Sequence, residues 1–269
     1  MGALGGGLLS NLLASLLWLL GGILLTAFYR SYRARRQTLF NHFSQMPFGI
    51  GNVYLVYGLI EPEDIKQLCT VEEGDVSAVC SALSLLEERF GPTRVSVLNS
   101  RAAQSLFGSI DNLLSVSGPV WNPITRALLQ EMRLPIRFDR DGEKDVLRDE
   151  LTPARRVYET RYDGTIAREC YGIVCRGSLE TSANKRKKCF TVAAGISALS
   201  TYGAVTWLRK ISTMQGRDDV FLGSLKKHEH AVILLRVTDQ SPQGFKAYSA
   251  STPDPGFLKV DVIAQYRHG

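Results

Sequence analysis

The chain has 269 residues, a formal charge of +6, and an apolar fraction of 45% that includes 11 Phe and 10 Tyr. That content builds a core and excludes a disordered tail, while a charge excess this small does not call for nucleic acid as a partner. Five cysteines, Cys69, Cys80, Cys170, Cys175 and Cys189, form no C-x-x-C, so a zinc ribbon is excluded and free thiols in a reducing compartment are expected.

The first element in chain order is an uncharged, Leu-rich stretch from Gly2 to Tyr29. About 20 apolar residues in a helix cross the hydrocarbon core of a bilayer, and residues 1–29 are expected to be a single transmembrane helix. A cleaved signal peptide would carry its basic residues before the apolar run, whereas here Arg30, Arg33, Arg35 and Arg36 come after it. By the positive-inside bias those arginines place the N-terminus outside and the remainder in the cytoplasm. The expected location is therefore the cell (inner) membrane, with the lipid bilayer as the first partner. Gly7, Asn11, Ala14, Trp18 and Gly22 share one stripe at helical spacing. Small residues and an amide in lipid favour helix association, so a homo-oligomer is expected unless Asn11 reaches water at the outer interface.

Residues 30–51 read as a basic juxtamembrane helix broken by Pro47, Gly49 and Gly51, and residues 52–269 as one cytoplasmic domain. Within that domain the apolar period changes repeatedly. NVYLVYGL is a continuous apolar run, as in a strand buried on both faces, and DVSAVCSALSLLEERFG has helical spacing with Gly91 as its stop. RVSVLNS is a second strand, after which Ser100 can cap the short helix RAAQSLFG. NLLSVSGP is a third strand, and Asn122-Pro123 is an N-cap followed by proline at the first helical position of PITRALLQEM. PIRFD completes the alternation as a fourth strand, which predicts an α/β fold with a Rossmann-like, mostly parallel sheet.

Residues 139–169 lose the period and crowd with charge, so they read as an insertion covering one edge of the sheet, with RRVYETRY as an edge strand. CYGIVCRG and KCFTVAAGI are buried strands separated by an exposed loop, where Lys185–Lys188 is either a phosphate patch or a solvated turn. STYGAVTWLRKIS is a helix, HAVILLRVT a strand, and LKVDVIAQY an antiparallel edge strand that closes the domain.

In open α/β sheets ligands bind at the carboxyl ends of the strands, and two turns there have unusual composition. The first runs Ser117-Gly118-Pro119-Val120-Trp121-Asn122-Pro123-Ile124-Thr125-Arg126. Glycine allows close backbone approach, a helix start offers N–H groups to an anion, and Thr125 and Arg126 are suited to a phosphate or carboxylate. A plain cap at Asn122 with Trp121 in the core accounts for the same residues. The second turn, Ala194-Gly195-Ile196-Ser197-Ala198-Leu199-Ser200-Thr201-Tyr202-Gly203, places three hydroxyls and a Tyr at a helix start, for a phosphate or ribose or simply as a Ser-capped helix packed through Gly203. Gly58 with Glu61, and Ser100 with Arg101, would supply further walls.

Enzyme signatures are weaker. Gly195-x-Ser197-x-Leu199 lacks the final glycine of a nucleophile elbow, Gly49-x-Gly51 precedes its strand, and His228-x-His230 has no acidic partner fixed by spacing. No catalytic residue, metal site or cofactor is assigned.

The turn Ser-Gly-Pro-x-x-Asn-Pro-x-Thr-Arg resembles the GGP-x-x-N-x-x-T turn of Rossmann-like nucleotide-sensing domains, with Ser117 in place of the first glycine. One span joined to such a domain resembles membrane effectors of prokaryotic antiviral defence systems. The resemblance implies a cytoplasmic sensor of a nucleotide-derived ligand or of a protein partner that acts through its anchor, and it singles out Gly118, Asn122, Thr125 and Arg126. A membrane-tethered nucleoside- or nucleotide-processing hydrolase and a module that docks a separate cytoplasmic protein are the alternative expectations.

Overall fold

The computed structural model describes residue 18 and residues 21–29, 52–59, 73–110, 112–151, 156–164, 166–180, 187–213, 230–242, 245–246 and 255–268. In chain order these give β1 (Val53–Tyr57), α1 (Glu73–Phe90), β2 (Val95–Asn99), α2 (Ser100–Leu106), β3 (Asn112–Val116) and α3 (Pro123–Met132). There follow β4 (Ile136–Asp141), β5 (Lys144–Asp149), β6 (Val157–Glu159), β7 (Arg161–Asp163), β8 (Ile166–Glu180) and β9 (Lys187–Gly195). The chain continues with α4 (Ala198–Thr213), β10 (His230–Asp239), β11 (Phe245–Lys246) and β12 (Leu258–His268).

The main sheet has the order β12-β10-β8-β9-β3-β1-β2, with β7 and β11 also paired to β8. From β2 to β9 neighbouring strands are parallel; beyond β9 the pairs with β8, β10 and β12 are antiparallel. The expected mixed α/β sheet is present, and its antiparallel part extends over three strands of the order instead of one edge strand.

Both faces of the parallel part are covered, which explains the unbroken apolar runs of β1 and β3. Leu55, Leu114, Val116 and Ala193 face α1 and α4, joining Ala78, Ala82, Leu85, Leu86, Tyr202, Val205 and Leu208 in one apolar cluster. Val56, Leu113, Val192 and Ala194 face the opposite way, onto Ala103 of α2 and Ile124, Leu128 and Met132 of α3. α1 is helical because Ala78, Ala82, Leu85 and Leu86 recur on one face, and it ends at Gly91, whose φ of 85° suits glycine. The ion pair from Arg209 to Glu88 at 2.6 Å links α4 to α1 at the surface, where such a pair contributes about 1 kcal/mol or less.

Four expectations need correction. PIRFD is not a fourth strand of the main sheet: β4 pairs antiparallel with β5, and β5 with β6, in a separate three-stranded sheet. That insertion covers a face and not an edge, because Ile136, Leu147 and Tyr158 pack with Tyr171, Cys175 and Leu234 on the face opposite α4. A partly buried hydrogen bond fixes it there, the Tyr266 hydroxyl donating to Asp149 Oδ2 at 2.6 Å. RRVYETRY is likewise split between sheets, β6 pairing with β5 and β7 with β8. Asn99, not Ser100, caps α2, since its Oδ1 accepts from Ala102 N at 2.8 Å.

Residues 21–29 are helical with every side chain exposed, Ile23, Leu24, Leu25 and Phe28 among them. Among the described residues no helix is long and apolar enough to cross a membrane; the expected span and the juxtamembrane segment 30–51 lie mostly outside them.

α4 seats on the sheet through glycines. A Cβ on Gly203 would meet Val237 Cγ2 at 2.4 Å, and one on Gly172 would meet the Ser200 carbonyl oxygen at 2.8 Å. Overpacking at such a contact costs about 1–3 kcal/mol. Gly203→Ala is therefore expected to lower the unfolding free energy of the full chain, read from urea titration, by an amount in that range. Gly108→Ala, where a Cβ meets nothing within 4 Å, serves as the control and is expected to leave the midpoint close to wild type.

Candidate functional site

The parallel strands end together. The helices that follow β1 and β3 leave on opposite faces of the sheet, so the strand order reverses between these two neighbours. The crevice outside such a reversal is where open α/β sheets hold ligands. Gly58 and Leu59 of the first turn lie against the second: Gly58 N donates to Ser117 Oγ at 3.4 Å and Leu59 N to the Trp121 carbonyl at 3.2 Å. No side chain fits between them, because a Cβ on Gly58 would meet Trp121 O at 2.8 Å. The β3 and β9 turns are equally close, with a Cβ on Gly118 falling 2.8 Å from Gly195 O. The two predicted turns and Gly58 are thus brought side by side.

Ser117 takes a φ of 92° while fully buried. A non-glycine residue held there costs about 1–3 kcal/mol, which surrounding bonds must offset. Its carbonyl accepts from Thr125 Oγ1 at 3.1 Å, and its N–H donates to the Ala193 carbonyl at 3.3 Å. Asn122 is the centre of the turn. Its Oδ1 accepts from the amides of Ile124 and Thr125, while its Nδ2 donates to Val116 O at 2.8 Å and Ser115 Oγ at 3.1 Å. The Ser115 and Thr125 hydroxyls bond each other at 2.8 Å.

Arg126 lies against its own turn. Its guanidinium folds back, Nε donating to Pro119 O at 3.0 Å and a terminal nitrogen to Val120 O at 3.2 Å. The guanidinium closes the turn on itself, leaving Val120 and Trp121 exposed. The second turn is similar: Ser197 N donates to Ser200 Oγ at 3.0 Å, and Ser200 N to Ser197 Oγ at 3.3 Å. Thr201 Oγ1 donates to Ser197 O at 3.2 Å. Gly195 is required beneath them, because its Cβ would fall 2.2 Å from Ser200 Oγ. The α3 start is thus capped by the Asn122 amide oxygen and the α4 start by the Ser197 hydroxyl.

Of the further walls, Ser100 is buried and Arg101 exposed, with Glu61 outside the described residues. His230 Nε2 lies 3.1 Å from the Ser178 carbonyl within the sheet, and His228 also lies outside. Cys170 packs near Ser197 and Ser200, and burial pushes its thiol up to about 12, so it stays protonated. Among the described residues no cluster of His, Cys, Asp and Glu is placed to hold a metal ion.

The group that sequence reasoning missed is Asp75, on the first turn of α1. It is 5% exposed, and its carboxyl lies against the hydroxyls of Ser117 and Thr201. It thereby joins α1, the β3–α3 turn and α4. Burial raises its pKa to about 6, the two hydroxyl bonds pulling the other way. An acidic residue in a first helical turn is ordinary, so its type and spacing did not set it apart; only the fold reveals that it points inward.

With the folded pKa above the unfolded one, the folded state holds the proton more tightly, so this contribution favours folding below about pH 4 and is lost as pH rises through about 6. A shift of about two pKa units is worth about 3 kcal/mol. Asp75→Asn removes the charge and keeps an acceptor. It is expected to exceed wild type in urea stability by up to about 3 kcal/mol at pH 8, with the gap closing toward pH 4; a gap independent of pH contradicts the assignment. Comparison with protein-family models, curated proteins and solved structures finds no match to this chain.

Proposed function

We propose that the chain is a membrane-anchored sensor or effector whose cytoplasmic Rossmann-like domain binds an anionic, nucleotide-derived ligand at the ends of β1, β3 and β9. Binding at that point would change how the domains pair, and an oligomeric anchor would transmit the change to the membrane. The observation that carries this reading is the strand-order reversal, where Gly58, Gly118 and Gly195 let three backbone turns meet over a buried polar cluster. Open α/β sheets place their ligands at this position. The caps give the turns fixed shapes, which lowers the ordering cost of binding.

The anchor is supported by the helical residues 21–29, whose apolar side chains find no cover on the folded domain. Thr26 Oγ1 bonds back to Gly22 O at 2.7 Å, so its hydroxyl carries no unmet donor into an apolar surround. A second reading, a nucleoside- or nucleotide-processing hydrolase, is favoured by one observation: a buried carboxyl with a pKa near 6 at the strand ends is the kind of group that transfers protons at neutral pH. Turnover of NAD or nucleotides by the purified chain selects that reading.

The test of the binding site is calorimetry of the detergent-solubilised full chain against a nucleotide panel. Gly118→Ala places a methyl against Gly195 O and must part the two turns. It is expected to weaken binding by about ten-fold, or 1.4 kcal/mol, while keeping a cooperative melt. Wild-type affinity in a folded Gly118→Ala variant contradicts a site at these turns.

A further inference from the structure

We draw no further inference here: the strongest candidate, the exposed Val120–Trp121 surface patch at the start of α3, beside which the Arg126 guanidinium is held against the Pro119 and Val120 carbonyls, rests on a helix start and two exposed apolar side chains, and nothing in the structure shows what covers them.

Discussion

α4 can lie on this sheet only because three glycines leave it room. Gly172 on β8 and Gly195 at the end of β9 admit its first turn, and Gly203 on the helix admits Val237 of β10. The helix spans the seam where the sheet changes from parallel to antiparallel, since β9 pairs parallel to β3 on one side and antiparallel to β8 on the other. Any Cβ at these points would lift the helix start. Thr201 would then leave Asp75, and the strand-end cluster would lose the member that ties its two halves. Close packing is thus the condition for the polar arrangement above it.

That polar arrangement is largely self-contained. Ser115, Asn122, Thr125, Ser197 and Ser200 spend their hydrogen bonds on each other and on backbone groups, as buried polar atoms must. The result is two turns of fixed shape meeting at Gly118 and Gly195, with one carboxylate set among hydroxyls. The Asn122 and Ser197 caps stabilise the turns whatever the pH. Asp75 opposes folding at neutral pH, and it is the member of the cluster whose presence packing alone does not explain.

Much of the fold was legible in the residues. Apolar runs without polar alternation marked β1, β3 and β9 as strands covered on both sides, and Asn122-Pro123 fixed the start of α3. The insertion was misplaced because its strands are short and charged outside while their inward residues, such as Ile136 and Leu147, meet partners distant in sequence. No local period reveals which face of a sheet they will cover. The candidate turns were legible as glycine next to hydroxyl. What their side chains do was not: the Arg126 guanidinium returns to Pro119 and Val120, a choice set by the path of the turn. Asp75 was hidden for the same reason, its direction being fixed by the packing of α1 on the sheet.

A ligand held where the β1, β3 and β9 turns meet would order the backbone of all three. Hydrogen exchange of the full chain in lipid nanodiscs, with and without a bound nucleotide, addresses this directly. Slowed exchange confined to Gly58–Leu59, Ser117–Trp121 and Gly195–Thr201 is the result expected. Protection that spares all three turns, or falls instead on the β4–β5–β6 sheet, contradicts it.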